Sequence, residues 1–477
     1  MINILNRLYH IGLYALTLFL MLLSGVHTLS AQEVIYIDSI SIVGNEKTRP
    51  EIIIRELSFK IGDTIPVAQL KKVLTESEQL VMNTSLFNKV EINLKNWIGE
   101  TAKVHAHIEV EEAWFIYPVP IFELADRNFN VWWVEQKRSL QRINFGVEFT
   151  HINFTGRRDK LKLTAKYGYT RSYSIKYSLP FINKEQTLGL QFEVSYGRNR
   201  EINYLTLGNK QEFYREDDRF LRKRFWSIVG LNYRPGLRAN HLLDFSFNQN
   251  TIDEIVATDL NPDYFIDGRS LQRFFNISYT YSYDYRDIRP YPINGYYLEL
   301  GLEKDGLGIF NDRNALTLSA QFDVFFPLTK RFSTSLKTRG KLSLIRTQQP
   351  YNDNRALGFS QHTLHGFEFY IIDGLDMLYT QSAWRFQFLQ TGINFGKLMP
   401  IKAFRKMPIK AFFTINNDVG YVNAPFTSDA NDLNNILLWG GGFGIDLVVF
   451  YDKVVSIEYS FNHLWENGLF LHLNLNI

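Results

Sequence analysis

Apolar and polar residues alternate one by one along much of this chain, which is the spacing of a β-strand whose two faces meet different surroundings. Within residues 331–344, Leu336 and Leu342 fall on one face, and Lys337 and Arg339 fall on the other. A membrane strand needs such a pair of faces, one for lipid and one for a wet lumen. A soluble β-sandwich would alternate in the same way, so this pattern alone leaves both architectures open.

Counting the alternating segments favours the membrane architecture. Most of the predicted strands reach the ~9 to 11 residues that a tilted membrane strand requires. Short connections alternate with longer polar ones, as in outer-membrane barrels, whose short turns face the periplasm. The sequence therefore predicts an all-β, 16-stranded antiparallel transmembrane barrel over residues 141–477, with strands at 141–149, 158–168, 171–180, 186–198, 202–214, 222–234, 239–252, 271–285, 294–304, 315–328, 331–345, 378–391, 409–420, 437–450, 453–463 and 467–477.

The residues ahead of this barrel follow a different pattern. Pro50 stands where a first helical turn would begin, a position at which its missing N–H costs nothing. The pattern predicts a small α+β module of order β-α-α-β-β over residues 34–113, followed by a linker, residues 114–140, that leads into the barrel. The predicted elements of the module are a strand from residue 34, helices at 50–57 and 67–83, and strands at 90–94 and 104–110.

The first 31 residues have the three parts of a secretory signal peptide. Arg7 supplies the positive charge, residues 11–26 the apolar core, and Thr28 to Ala31 a small-residue exit. The apolar run is short for a membrane span, so cleavage is favoured over anchoring. The mature chain would then keep 477 − 31 = 446 residues.

Composition narrows the function classes. Aromatic residues make up 15% of the chain and charged residues 21%, and no apolar stretch of about twenty residues follows the N-terminus, which disfavours a helical membrane protein. A net charge of +3 over this length gives no reason to expect nucleic-acid binding. The absence of cysteine excludes disulfides and thiolate metal sites. A barrel wall remains the composition's best match.

Catalytic and cofactor motifs are missing as well. The sequence has no Gly-x-Ser-x-Gly, no phosphate-binding loop and no histidine pair at metal-ligand spacing. The glycine-rich stretch 440–444 opens a strand, which favours a close backbone approach or a barrel bend over a nucleotide site. We therefore expect a protein that is not an enzyme and that binds no cofactor or metal.

Four short motifs in the N-terminal module resemble a polypeptide-transport-associated (POTRA) domain. They are residues 42–48 with Gly44 and Asn45, the Gly62-Asp63 pair, residues 84–90 with Phe87, and residues 110–112. The resemblance implies a periplasmic domain that receives clients or partners by adding a strand to an exposed sheet edge. A generic small α/β domain is the alternative.

The barrel region carries a matching resemblance, to the superfamily of outer-membrane assembly factors that includes BamA and TamA. One of its motifs is similar to the periplasmic turn before the ninth barrel strand of that superfamily. The residues that carry this turn motif are Asp284, Arg286, Asp287, Pro292 and Gly295.

Two further motifs of the superfamily imply a latch. His365, Gly366 and Phe367 lie in the loop after the eleventh predicted strand, and Asp418 and Gly420 lie on the thirteenth. In the family an arginine of this loop reaches into the lumen and pairs with the strand aspartate, a task that suits a permanently charged, bidentate donor. This chain has His365 in that position, whose charge depends on pH, with an ordinary pKa of ~6.5.

The resemblance also implies a weakly held seam between the first and last strands, at which a client strand can pair. The predicted first strand, 141–149, is short and contains Gly146. The predicted last strand runs to the final residue and includes Leu473, Leu475 and Ile477.

These expectations define a function and its rivals. The resemblance implies outer-membrane protein assembly, insertion or polypeptide translocation, in the outer membrane of a Gram-negative bacterium with the N-terminal domain in the periplasm. Expected partners are unfolded outer-membrane or exported polypeptides, outer-membrane lipid, and periplasmic or lipoprotein accessory proteins, with no nucleic acid. The alternatives are a two-partner secretion transporter for a dedicated exoprotein, and a passive porin or structural barrel.

Overall fold

The computed structural model describes residues 33–96, 102–183, 185–359, 362–399, 405–450 and 453–475. The predicted signal peptide, residues 1–31, lies outside these residues. The chain divides into two compact units, Met1–Ala113 and Trp114–Ile477. No helix among the described residues is both long enough and apolar enough to cross a membrane.

The first unit is a four-stranded sheet with two helices, and it has the predicted α+β class. Its strands lie in the order β2-β1-β4-β3, with β1 and β4 parallel and the other pairs antiparallel. Alternate residues of β1 and β4, such as Ile35 and Ile108, are fully buried. The elements are β1 (Val34–Val43), α1 (Pro50–Arg55), β2 (Thr64–Pro66), α2 (Val67–Met82), β3 (Phe87–Lys95) and β4 (Lys103–Glu112).

The short strand β2 was not predicted, and it changes the order to β-α-β-α-β-β. It has three residues, ends in Pro66 and pairs only with Val34–Tyr36. A segment this short shows no alternation that could reveal a strand, because the signal needs four to eight residues.

The second unit is a barrel of sixteen antiparallel strands, as predicted. Neighbours in the sheet are neighbours in sequence, except that two small hairpins stand apart from it. The sixteen strands are β5 (Ile116–Leu124), β6 (Ile143–Ile152), β7 (Lys160–Gly168), β8 (Thr170–Leu179), β9 (Leu188–Asn199), β12 (Arg222–Tyr233), β13 (Ala239–Ile252), β14 (Leu271–Asp284), β15 (Gly295–Asp305), β16 (Ala315–Pro327), β17 (Phe332–Ser343), β20 (Asp376–Asn394), β21 (Lys406–Asn423), β22 (Leu437–Val449), β23 (Lys453–Asn462) and β24 (Asn467–Leu475). Outside them lie the paired strands β10 (Glu201–Leu207) and β11 (Lys210–Arg215), the paired strands β18 (Arg355–Leu357) and β19 (Ile372–Asp373), the helix α3 (Phe129–Val134), and short turns of helix at Leu140–Arg142, Val256–Leu260, Tyr351–Asp353 and Gly396–Leu398.

Two predictions about the membership of the barrel were wrong, and they cancel in the count. The first strand is β5, which lies inside the predicted linker, whereas the segment predicted at 202–214 is the separate hairpin β10–β11. The predicted strands 1 to 4 are therefore strands 2 to 5, and the numbering agrees again from the sixth strand onward. The hairpin alternates like a wall strand, but it turns at Gly208 and pairs with itself.

The connections give the barrel a direction. At the end of the sheet where β5 begins they are short, as at 153–159, 234–238 and 328–331. At the other end they include 200–221, 253–270 and 344–375. Short periplasmic turns and long outer loops are the pattern of outer-membrane barrels.

The two faces of the wall differ as the alternation predicts. Leu318, Phe322 and Leu336 are 39%, 47% and 43% exposed in the isolated chain, where lipid would cover them. On the inner face Asp323 is buried, and its Oδ2 atom lies 3.2 Å from Nη2 of Arg339. Charged groups therefore pair inside the lumen while apolar side chains face outward.

Candidate functional site

The loop between β17 and β20, residues 344–375, which we call the latch loop, folds into the barrel and has its own apolar core. Leu364 and Phe367 of the loop are almost completely buried. They pack in one cluster with Met377, Tyr379 and Leu438, which belong to the barrel wall. This burial holds the loop against β20, β21 and β22 because apolar surface leaves water on both sides of the contact.

The structure brings the two predicted latch residues together. Nδ1 of His365 lies 2.7 Å from Oδ2 of Asp418, and the backbone N–H of His365 donates to the same oxygen at 3.0 Å. Gln381 donates to that oxygen as well, at 3.0 Å. Asp418 has no exposed surface, so these donors replace the water that its Oδ2 atom has lost, while Oδ1 has no hydrogen-bond partner among the described residues.

A second carboxylate, which the sequence did not reveal, faces the other side of the ring. Nε2 of His365 lies 3.1 Å from Oε2 of Glu458 on β23. Burial disfavours a charge on the imidazole, but Asp418 and Glu458 outweigh that penalty and raise the pKa of His365 well above its usual range. His365 thus lies between two carboxylates. In its protonated form it supplies the positive charge that the resemblance assigns to an arginine at this position.

Small residues allow the loop to approach this closely. Gly366 has a φ of +82°, and a Cβ atom there would lie 2.5 Å from the carbonyl oxygen of Phe461. A Cβ atom on Gly420 would lie 2.8 Å from Leu364. At Gly440 a Cβ atom would overlap the carbonyl oxygen of His365, so the glycine-rich strand serves a close backbone approach.

The same charge cluster reaches the last strand. Nε2 of His472 on β24 lies 3.6 Å from Oε1 of Glu368 in the loop and 3.6 Å from Oε2 of Glu458. Glu368 is almost completely buried. The alternation of β23 and β24 predicts that Glu458 and His472 face the lumen, but only the fold of the loop shows what they meet.

The turn between β14 and β15 carries the second predicted motif and also folds inward. Arg286 donates two hydrogen bonds to Asp284, each of 2.8 Å. Oδ1 of Asp287 accepts from the backbone of Ile288 at 2.8 Å and of Ile293 at 3.1 Å. The hydrogen bonds of Asp284 and Asp287 therefore fix the two ends of the turn.

The middle of this turn lies in the lumen, which the sequence motif did not reveal. Tyr291 donates to Oδ2 of Asp446 at 2.7 Å and packs against Phe412. The carbonyl oxygen of Pro292 accepts from Nη1 of Arg385 at 2.9 Å. Gly295 has a φ of +103° and leaves room for a backbone carbonyl at the start of β15. A cavity between this turn and the latch loop is lined by charged groups, Lys337, Glu368, Arg385, Asp446 and Glu458.

The seam lies between β5 and β24, and among the described residues no strand ladder joins them. The carbonyl oxygen of Phe115 and the N–H of Ala125 bond to the β6 side, so odd-numbered positions of β5 face β6. Even-numbered positions therefore face the free edge. Pro118 and Pro120 are two of them, and proline has no N–H to offer.

One side chain takes the place of a neighbouring strand on β24. The backbone N–H of Leu471 donates to Oδ1 of Asn130 at 3.0 Å, and Nδ2 of Asn130 donates back to the Leu471 carbonyl at 3.2 Å. Asn130 belongs to α3, between β5 and β6, and is almost completely buried. The amide thus satisfies two edge groups, as a paired residue would.

The residues just before Asn130 hold the latch loop. Nη1 of Arg127 points at three loop carbonyls and lies 2.8 Å from that of Glu368. Nδ2 of Asn128 donates to the same carbonyl at 2.8 Å. Residues 127–130, which we call the clasp, therefore contact both the latch loop and the edge of β24.

The predicted seam residues fall in three different places. Gly146 lies on β6, the second strand, so its prediction as a first-strand residue was wrong. The reason is that β5 precedes it, and the prolines of β5 concealed a strand. Leu473 and Leu475 lie on β24, and Ile477 lies outside the described residues.

The predicted POTRA residues occupy turns and the core of the first unit. Gly44 has a φ of +86° and lies against the carbonyl oxygen of Val110, where a Cβ atom would not fit. Asn45 donates to the carbonyl of Thr48 at 2.9 Å. Gly62 has a φ of +96° in a turn, and Phe87 is buried.

Comparisons with known proteins agree with this architecture. A family described as "Omp85 superfamily domain" matches residues 153–372, and the POTRA family, described as "Surface antigen variable number repeat", matches residues 35–113. A search of curated proteins found no match.

Solved structures match nearly the whole chain at low identity. The crystal structure of BamA from Haemophilus ducreyi lacking POTRA domains 1–3 has a TM-score of 0.59 and 12% identity, covering 92% of this chain and 83% of that one. CdiB from Acinetobacter baumannii has a TM-score of 0.51 and 13% identity, covering 92% and 74%. CdiB from Escherichia coli has a TM-score of 0.54 and 10% identity, covering 92% and 75%. At this identity the likeness describes the fold.

Proposed function

Because this chain belongs to the Omp85 superfamily, with one POTRA domain ahead of its 16-stranded barrel, we propose that it inserts client polypeptides into the outer membrane through the seam between β5 and β24. Omp85 proteins are outer-membrane transport and assembly barrels that handle client polypeptides, and they are not enzymes. The superfamily includes both assembly factors and two-partner secretion transporters, so the route that the client takes is the question.

The observation that carries this proposal is the unpaired seam. Backbone groups at membrane depth have no water to bond, so an open edge is costly until a strand pairs with it. Among the residues that the structure describes, the Asn130 amide bonds only to Leu471 on β24. A client strand that displaces the clasp would satisfy the whole edge, which gives insertion a driving force without a nucleotide.

The two edges differ in what they offer a client. On β5 the edge positions Pro118 and Pro120 accept hydrogen bonds but donate none. On β24 the positions that share the direction of Leu471 are Leu469 and Leu473, which have N–H donors. We infer that β24 is the better template once Asn130 has left.

Two segments that lie inside the lumen support the seam, and not the lumen, as the client's route. The latch loop contacts the inside of the barrel wall through His365 and Asp418. The turn between β14 and β15 contacts it through Tyr291 and Asp446. Secretion of an exoprotein through the lumen, or passive conductance as in a porin, would require the latch loop and the turn between β14 and β15 to move out of the lumen. The proposed role of the POTRA domain is to receive clients at a sheet edge.

Depletion of the protein followed by surface proteomics tests this function. General loss of outer-membrane barrel proteins is the expected result. Loss of one exported protein alone would establish the secretion transporter instead, and an unchanged surface together with an open resting conductance would establish the porin.

A further inference from the structure

Three arginines converge on one aromatic ring at the rim of the barrel. The Cζ atoms of Arg198, Arg200 and Arg171 lie 4.1, 5.3 and 5.5 Å from the centre of the Phe220 ring. Arg171 is the second residue of β8 and Arg198 the last but one of β9, while Arg200 follows β9 and Phe220 lies before β12. A ring face attracts one cation, but three guanidinium groups around it also repel each other.

The strand register places a fourth cation beside these arginines, which adds to the charge repulsion. Arg171 lies directly opposite Arg198, and Arg198 lies directly opposite Lys223 on β12. Like charges directly opposite each other destabilise a sheet. Among the described residues, no carboxylate lies within ion-pair distance of Arg171, Arg198 or Arg200, and the Nε atoms of Arg198 and Arg200 are buried without a hydrogen-bond partner.

Three acidic groups of this region pair with other cations. Arg219 forms ion pairs with Glu216, with 3.7 Å between Nη2 and Oε1, and with Asp253, with 3.2 Å between Nη1 and Oδ1. Glu201 faces Arg142 and Arg215. Among the described residues, no ion pair joins a carboxylate to the rim cluster, residues Arg171, Arg198, Arg200 and Lys223, although Glu254 and Asp259 line a pocket with Phe220 and Lys223.

The cluster faces outward at the level where lipid head groups begin. Two residues further along the same strands, on the same face, Tyr173 and Tyr196 are directly opposite each other and exposed. The next pair on this face is Ile175 and Val194, 58% and 48% exposed. An aromatic row above an apolar band marks the membrane interface of a barrel. The cluster lies at the end opposite to the short turns, which places it in the outer leaflet.

We propose that the rim cluster binds the phosphate group of a phosphorylated lipid of the outer leaflet. Guanidinium groups donate paired hydrogen bonds to phosphate oxygens, and several of them can share one dianion. The Phe220 ring orients the guanidinium planes, while the tyrosines and aliphatic residues below contact the acyl chains. Basic pockets on membrane proteins recognise lipid head groups by this chemistry.

Lipid binding to the purified full chain in neutral detergent tests this site. The probes are lipid A with its phosphates and the same lipid after dephosphorylation, titrated in parallel. The native protein is expected to prefer the phosphorylated lipid by about tenfold or more. The variant Arg171→Gln/Arg198→Gln/Arg200→Gln should lose this preference to within about twofold, since the charge-assisted bonds are gone.

Arg238→Gln is the matched control, because Arg238 also lies over an aromatic ring, that of Tyr285, but at the opposite end of the barrel. It should keep the preference. If the triple variant does not fold, Arg200→Gln alone, outside the strands, should still weaken binding of the phosphorylated lipid by about threefold or more.

Three results would overturn the proposal. The first is equal binding of both lipids by the native protein, and the second is an undiminished preference in the arginine variants. The third is inorganic phosphate that competes with the phosphorylated lipid at equal concentration, which would assign the cluster to free phosphate. Weak competition by inorganic phosphate, with the lipid preference kept, supports the lipid as the source.

Discussion

At the residue scale, the latch depends on one imidazole between two carboxylates. The loop motif and the strand aspartate could be predicted from sequence, and their contact in the structure is 2.7 Å. Glu458 could not be predicted as a partner, because its distance from His365 depends on how the loop folds into the lumen. His365 lies where the resemblance implies an arginine, and Glu458 adds a second carboxylate that favours the charged form of the imidazole.

His365→Ala tests the latch. Removing one partner of a buried ion pair costs about 3 to 5 kcal/mol, so the loop should open far more often and residues 344–375 should become sensitive to protease. The control is His362→Ala, because His362 lies in the same loop and its ring, in the contacts described for it, meets no charged group: its Nδ1 lies 3.1 Å from the hydroxyl of Tyr379, and the two rings meet edge-on. Equal cleavage of both variants would show that the ion pairs do not hold the loop.

The pH dependence of the latch follows from the raised pKa of His365. A pKa raised above the unfolded value of ~6.5 gives stabilisation that is complete below that pH and is lost as the pH rises through the folded value. The loop should therefore become more protease-sensitive toward alkaline pH. His365→Arg should remove this dependence, since a guanidinium stays charged. A wild-type loop whose cleavage does not change with pH, using a protease with flat activity, would contradict this.

At the scale of elements, alternation predicted fifteen of the sixteen wall strands. It could not show whether an alternating segment pairs with the wall or with itself. Hairpin β10–β11 alternates as the wall does, yet its hydrogen bonds close on itself. Strand β5 was missed because Pro118 and Pro120 read as a linker. The same prolines are compatible with an edge strand, where the missing N–H points away from the ladder. The prolines that hid β5 from the prediction are thus the same residues that leave its free edge short of donors.

Replacing both prolines should close the seam. Pro118→Val with Pro120→Val gives the free edge of β5 two donors, each worth about 0.5 to 1.5 kcal/mol when it pairs with β24. We expect a higher unfolding temperature of the barrel and slower client insertion. Val119→Ile, on the side of β5 that faces β6, is the control. An unchanged unfolding temperature with normal insertion would show that the missing donors do not weaken the seam.

At the scale of the whole molecule, the sequence predicted a POTRA domain and a 16-stranded barrel, and the comparisons support both. It did not predict how the parts inside the barrel are connected. The clasp joins Glu368 of the latch loop to Leu471 of the last strand through Arg127, Asn128 and Asn130. These contacts link residues more than two hundred positions apart, and no local pattern records them. They couple the latch to the seam, so opening one is expected to loosen the other.

Insertion through the seam can be tested most directly by locking the clasp onto β24. The chain has no cysteine, so Asn130→Cys with Leu471→Cys forms the single possible disulfide. The control pair, Ile457→Cys with Leu471→Cys, joins positions directly opposite on β23 and β24 and leaves the seam free. The measurement is client assembly in vesicles that contain the full-length protein, before and after reduction. The account predicts that the oxidised clasp variant stops assembly, that reduction restores it, and that the control assembles clients in both states. Normal assembly by the oxidised clasp variant would contradict it.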